Sequence, residues 1–455
     1  MIRSALEPRP VVLGRYRYSK WRWRILVRAF DAAGSMALRG WRTVRPAPIA
    51  PEPRRILVVQ LDHMGDAVLS SPMFPRLKAA FPGATIDVLA SPSNREVFEA
   101  DPHVDRVLLA ERNWFERRRG HWSLGQAVWT LGRSLRGEKY DLGIDVRGDI
   151  LTVLVLTLAG IPRRAGWAMG GGGFLLTDVA DWVPGRHEVR SRLALLDAIG
   201  IAVDDPARVH VYPSDTDRAR VARMLNETWS GGSRRSALSR GLAQVGRTAR
   251  VLAGVGRRDD GASYRDDEVD LDADSLHAGR FGEPSPLLAV HVGAGTAAKR
   301  WPRRYWAALV ARFLDEGWRV VVIGGPDDTE TAEAMEPHDL LADWVGRMSL
   351  TETSALLERA DLFIGTDSGP AHLAACAGVP SVVLFSGTNR HAQWRPWSRR
   401  TLVLRKRTGC GPCHQKVCPV PGHPCMSRLT PDRVHRAACR WWSRLHRSES
   451  PHAPV

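Results

Sequence analysis

The sequence predicts an α/β fold of two doubly wound domains in series, and three observations carry that expectation. Short, nearly all-apolar runs recur: Arg55–Gln60, Thr85–Ala90, Leu287–Val292, Trp318–Gly324, Asp361–Gly365 and Val379–Phe385. Runs apolar on both faces suit strands of a parallel sheet covered on either side. Between them lie stretches with helical spacing, so strand and helix alternate. At 455 residues and 44% hydrophobic, the chain can bury two cores.

Residues 1–53 precede the first domain. Trp23, Leu26, Phe30, Ala33 and Ala37 recur at helical spacing, with Arg24, Arg28 and Arg39 opposite. A basic amphipathic helix with Trp suits an anionic membrane surface; the alternative is a helix packed on the body with a solvated Arg face. Arg45–Pro53 reads as a Pro-rich linker. A net charge of +16 and a pI near 10.3 fit an anionic partner. Arg and Trp mix only in the arm and no recognition module appears, so no nucleic acid is expected. Nothing reads as a membrane span or a signal peptide, which predicts a cytoplasmic protein, peripheral on the inner face of the cytoplasmic membrane.

The first domain is expected over 54–213. Its opening strand ends in the polar turn Leu61–Asp66, and Ala67–Phe81 reads as a helix disturbed by Pro72 and Pro75. Further strands are expected at Asp105–Leu109 and Asp141–Asp145. Ligands of such sheets collect at the carboxyl ends of strands. Asp62, His63, Asp66, Asp145 and Arg147 fall there. Asp66 can take a proton from an incoming hydroxyl or can cap a helix; Asp62, His63 and Arg147 are acceptor-side candidates. Residues 214–285 read as an insertion: Arg234–Arg258 is Arg-rich with helical spacing, and Asp259–Asp274 is acidic and disorder-prone.

The second domain is expected over 286–400, and its densest stretch is Ile364–His372. Asp367 stands where an N-cap belongs, Ser368 begins a helix, and Gly369 lets a ligand approach the backbone. Pro370 costs little in a first turn, whose free amides and dipole seat an anion. Two more turns converge here: Gly293, Gly295 and Thr296 with Lys299, and Gly324–Asp328. Small residues, a lysine and a helix N-terminus suit a diphosphate, and Asp327 or Asp328 suits ribose hydroxyls. Read singly, Lys299 can be a surface lysine and His372 a satisfied core histidine.

Residues 401–455 form a Cys-rich segment and C-terminal helix. Cys410, Cys413, Cys418 and Cys425 give a C-x2-C-x4-C-x6-C pattern, with Cys439 beyond. It can hold a structural zinc ion, hold an iron–sulfur cluster, or consist of reduced thiols; a reducing compartment argues against disulfides.

Arg55–Asp66, Lys299–Pro302, Met348–Leu350 and Asp367–His372, in this order and spacing, resemble the ADP-heptose:lipopolysaccharide heptosyltransferases of glycosyltransferase family nine. The resemblance covers roughly 54–213 and 286–440. It implies a GT-B fold, with two Rossmann-like domains facing across a cleft, the acceptor on the first and a nucleotide sugar on the second. It implies inverting transfer of a sugar, a heptose by this likeness, from an ADP-heptose-like donor to a lipid-linked glycan of the lipopolysaccharide core, with no cofactor obligatory for transfer. By position Asp66 resembles the catalytic base and Lys299 the lysine that neutralises the donor diphosphate. Met348 lies near the adenine by the same likeness, and Asp367, Ser368, Gly369 and His372 near the diphosphate. This chain departs from the family in having Ala294 and Gly295 where paired Thr is usual, and Asp327 and Asp328 where Glu is usual. A GT-B nucleotide-sugar epimerase and a non-catalytic membrane-docked scaffold are the alternative expectations.

Overall fold

The computed structural model describes residues 16, 21–44, 52–110, 121–203, 207–230 and 285–449. Twelve strands lie in two parallel sheets of six among these residues. The first contains β1 (Arg55–Gln60), β2 (Thr85–Ala90), β3 (Arg106–Leu109), β4 (Leu142–Asp145), β5 (Arg163–Gly166) and β6 (Asp178–Val179), in the order β3-β2-β1-β4-β5-β6. The second contains β7 (Leu287–His291), β8 (Arg319–Ile323), β9 (Leu341–Asp343), β10 (Leu362–Thr366), β11 (Ser381–Phe385) and β12 (Thr401–Arg405). Read from β9, its order is β9-β8-β7-β10-β11-β12, so one doubly wound topology occurs twice.

The central strands are where the apolar runs place them. Ile56 to Val59 and Val320 to Val322 are fully buried, as helices on both faces require. In each sheet the order reverses beside the first strand: β1 pairs with β2 and β4, and β7 with β8 and β10. A crevice opens at such a switch point, at the carboxyl ends of the strands.

The helix expected over Ala67–Phe81 is two, Met64–Ser70 and Met73–Ala80, broken at Pro72. Pro75 sits in the first turn of the second, where an amide has no partner to lose.

The expected insertion begins with folded structure. Helix Asp215–Ser230 lies on helix Leu350–Leu357 of the second sheet, with Val221 fully buried. Arg218 pairs with Glu358 at 2.8 Å, and Arg220 pairs with Glu352. The Arg-rich and acidic runs lie outside the described residues, as does most of the 45–53 linker.

Helix Trp21–Val44 docks on the first domain through a narrow stripe. Asp31 is fully buried and accepts from the Gly172 amide at 2.7 Å and the Tyr16 hydroxyl at 2.8 Å. Gly34 meets the Phe174 ring, which also packs edge-on against Phe30. The stripe expected to be apolar points outward: Leu26, Phe30, Ala33 and Ala37 are all exposed.

The C-terminal helix Pro431–Glu449 packs on helix Arg303–Asp315 of the second domain, close to where the Trp301 indole donates to the Leu429 carbonyl at 2.8 Å.

Candidate active site

The two domains meet where helix Met64–Ser70 lies against helix Gly369–Ala377, each starting just beyond a central strand. Two glycines make that approach possible. A Cβ on Gly369 would overlap the Met64 methyl, and one on Gly65 would press on the His372 ring. Gly369 therefore admits a side chain from the facing domain, rather than the open approach to backbone that the sequence suggests.

On the second domain, Lys299 reaches the loop after β10. Its amine lies 2.8 Å from the Asp367 carboxylate and donates to the Asp367 carbonyl at 3.3 Å. Asn389 donates to the same carboxylate at 3.2 Å. Asp367 is thus not the N-cap expected of it; Ser368 holds that position and makes no side-chain cap bond. The Ser368 hydroxyl instead donates to the Thr366 carbonyl at 3.2 Å and lies 3.1 Å from His291 Nδ1. Asp367 turns away from the helix because a lysine cation binds it more strongly than a backbone amide does.

His372 is buried, its Nδ1 has no hydrogen-bond partner among the described residues, and burial pushes the imidazole down to about 4, so it is neutral at pH 7. His291 is neutral for the same reason.

The other two turns divide. Gly293 is small because the Asp328 carboxylate fills the space a Cβ would take, and its carbonyl accepts from Thr366 Oγ1 at 2.6 Å. Thr296 Oγ1 is buried without a hydrogen-bond partner among the described residues, whereas Gly295 is exposed. Asp328 is buried, closes its own turn by accepting from the Gly325 amide at 3.0 Å, and faces Arg300 at 3.6 Å. Asp327 is exposed, which leaves it the freer carboxylate of the pair. Met348 is half-buried just before the Ser349 cap of helix Leu350–Leu357.

On the first domain, Asp66 sits in the first turn of its helix, where His63 holds the N-cap position without a side-chain cap bond, and the Asp66 side chain keeps 16% exposure. Burial, then the neighbouring Asp62, push it up to about 7, while Arg192 and Lys299 oppose the rise. Lys299, from the other domain, therefore acts on the same carboxyl across the seam. His63 lies in that field too: burial lowers it, Asp62 raises it, and Arg147 and Lys299 lower it. Asp62 pairs with Arg147 at 3.4 Å, and Arg147 faces Asp149 at 3.5 Å. Asp145 is fully buried and holds its own turn, accepting from the Arg147 and Gly148 amides and Thr152 Oγ1.

Two residues that the sequence reading passed over complete the surroundings of Asp66. Arg192 is 5% exposed, lies 3.6 Å from Asp66 and 3.4 Å from Glu188, and donates to the Val146 carbonyl at 2.6 Å. Glu188 accepts from Gln393 of the second domain at 2.7 Å. Both sit on helix Glu188–Ala198, about 120 residues beyond Asp66, with no local pattern to mark them.

The cysteine segment is different in kind. Cys410 is exposed and Cys425 buried, with the Cys425 thiol raised by burial and then by Cys418, Cys410 and Cys413 nearby. No three of these sulfur atoms lie within 4.8 Å of one another; among the described residues the group that does converge is Glu316, His435 and Cys439.

Residues 128–423 match the family described as Glycosyltransferase family 9 (heptosyltransferase). Lipopolysaccharide heptosyltransferase 2 of Escherichia coli K12 is 25% identical over 84% of this chain and 96% of its own length. Lipopolysaccharide heptosyltransferase 1 of Pseudomonas aeruginosa is 25% identical over 80% of this chain and 87% of its own. Among solved structures, E. coli ADP-heptose lipopolysaccharide heptosyltransferase II superposes with a TM-score of 0.60 at 22% identity, over 86% of this chain and 99% of that one. A family 9 glycosyl transferase from Veillonella parvula gives 0.61 at 21% identity, over 86% and 97%. The likeness to these structures shows the two-domain GT-B fold.

Proposed function

Because the chain belongs to glycosyltransferase family 9, the heptosyltransferases, we propose that this enzyme moves a heptose from an ADP-linked donor onto the lipopolysaccharide core. The family supplies the reaction class, and the heptosyltransferase likenesses favour it over an epimerase or a scaffold. One observation supports the assignment of roles: a carboxyl held near neutral pKa at Asp66 feels a lysine from the facing domain.

Asp66 takes the proton from the acceptor hydroxyl as that oxygen attacks the anomeric carbon. A base with a pKa near the working pH is the most effective for such a transfer. Asp62, His63 and Arg147 line the acceptor side. Lys299, aimed by Asp367, and the positive end of helix Gly369–Ala377 receive the charge that gathers on the departing diphosphate. Thr296 Oγ1 and His372 Nδ1 offer the unpartnered polar atoms a donor would satisfy, and Asp327 the carboxylate for ribose. In this reading Lys299 supplies the countercharge, so transfer needs no metal ion.

The acceptor is lipid-linked, and the outward apolar face of helix Trp21–Val44 is the surface that would meet the membrane carrying it. No helix among the described residues is long and apolar enough to cross a membrane. Replacing Asp66 by Ala tests the central assignment. Transfer should fall by at least ~100-fold, the usual scale for a lost general base, with ADP affinity nearly unchanged. Undiminished turnover would remove Asp66 from the mechanism.

A further inference from the structure

Beside the catalytic seam, past the carboxyl ends of β11 and β12, lies a cavity of about 460 Å³. Arg390, His391, Arg405, Lys406 and Arg407 line it, together with Asn389, and no carboxylate does among the described residues. That composition is unusual for a wall made of ordinary solvated surface, where charges of both signs mix. Burial first, then Arg405, Arg395 and Arg407, lower the His391 imidazole below its ordinary value.

All of the cavity's walls belong to the second domain, and the segment that forms one of them runs on to both halves of the reaction centre. Asn389 is one of its walls and donates to the carboxylate that holds Lys299. Arg390 extends beside Gly185 of the first domain, just ahead of helix Glu188–Ala198. Further along the same segment Gln393 holds Glu188, which holds Arg192 beside Asp66, and the Arg395 carbonyl lies 2.8 Å from His187 Nε2.

We propose that this cavity is a second anion site, which seats a phosphate or carboxylate group carried by the acceptor glycan. The proposal rests on the glycosyl-transfer reading above and adds a recognition element to it. Its volume exceeds that of one phosphate and has room for a charged sugar. Arginines suit such groups because the guanidinium fork pairs with two oxygens at once. An anion there neutralises Arg390, which follows Asn389 and leads into the segment of Gln393, so an acceptor seated there bears on the residues that hold Lys299 and Arg192.

The test uses the full chain and two probes. Inorganic phosphate is titrated calorimetrically into protein saturated with ADP, so that the donor seat is already filled. One saturable event is expected, weakened roughly tenfold or more in Arg407→Glu and Arg390→Glu, since each puts a like charge in the anion's place. Steady-state kinetics with a phosphorylated core acceptor should then show acceptor KM raised about tenfold in both variants, with donor KM within about twofold. The same acceptor stripped of phosphate should lose the difference between wild type and variant. Phosphate binding that is identical in wild type and variants overturns the site. Binding that weakens while acceptor KM stays put assigns the cavity to a free anion and overturns the acceptor role. Failure of ADP itself to bind would count against the donor reading alone, because the phosphate isotherms of wild type and variants can still be compared without ADP.

Discussion

Lys299 and Asp367 form a nearly buried ion pair, 2.8 Å apart, with only 20% and 5% of their side chains exposed. The pair joins the turn after β7 to the turn after β10, and so fixes a cation at the start of helix Gly369–Ala377. Replacing Asp367 by Asn keeps the shape and the Asn389 neighbour but removes the negative charge that holds the amine. Loss of a charged hydrogen bond of this kind costs roughly 1.5–3 kcal/mol. Donor KM should therefore rise by about tenfold or more. Lys299→Ala should cost more, and mainly in kcat, because it removes charge from the leaving group rather than misplacing it. Equal donor KM in wild type and Asp367→Asn would show that the pair does not position the lysine.

The Asp66 carboxyl, raised to about 7 chiefly by burial, must be ionised to accept a proton. The acid limb of kcat/KM is therefore expected near pH 7, with activity lost as pH falls through it. Two neighbours set its position with opposite sign. Arg192 lowers the Asp66 pKa, so Arg192→Met should move the limb to higher pH; Glu188 raises it, so Glu188→Gln should move the limb lower. A profile that shifts the same way in both variants would mean that Arg192 and Glu188 act only on folding.

What could be read ahead of the structure follows from where charge and apolarity sit. Ile56–Val59, Leu288–Val290 and Val320–Val322 announce themselves because central strands are buried on both faces. The outer strands are harder to read: β5, next to the edge, begins with Arg163 and Arg164, the edge strand β6 with Asp178, and the edge strand β12 ends on Arg405, since the rim of a sheet tolerates charge; the edge strand β3 was still legible at Asp105–Leu109. In the site, turns at strand ends were legible from their small residues. Asp367 was misread as a cap because its partner Lys299 lies 68 residues upstream, and Arg192 and Glu188 escaped notice because only tertiary folding brings their helix to Asp66.

The fit of Met64 over Gly369 makes a steric prediction. Gly369→Ala places a methyl inside the Met64 side chain, and overpacking of this sort costs about 1–3 kcal/mol. The domains should be pushed apart at the seam, lowering both thermal stability and turnover. Met64 is flexible, so Met64→Ala in the same chain should recover much of the loss. If the double variant is no better than Gly369→Ala alone, the damage lies in the backbone of the helix start and not in the contact between domains.

The outer face of helix Trp21–Val44 shows Trp21 and Met36 at 68% exposure, Ile25 at 56%, Leu26 at 58% and Phe30, one edge of which meets Phe174, at 46%. Exposed Arg22, Arg24 and Arg28 lie among them, and the buried Asp31 fixes the opposite side to Gly172. Apolar anchors with flanking cations suit the boundary of an anionic bilayer, where each inserted side chain contributes roughly 1.5–3 kcal/mol when fully buried. The protein should sediment with vesicles containing phosphatidylglycerol and much less with neutral ones, and the difference should shrink as salt rises. Changing Trp21, Ile25 and Met36 together to Ser should weaken vesicle binding by at least about tenfold, the equivalent of ~1.4 kcal/mol. It should leave the melting temperature almost unchanged, because those side chains contribute nothing to the packed stripe at Asp31 and Gly34. Asp31→Ala should do the reverse, loosening the helix from the body while sparing its affinity for lipid. A triple variant that melts early would instead place this face in a protein contact, and one that binds vesicles as well as wild type does would take the helix out of membrane docking.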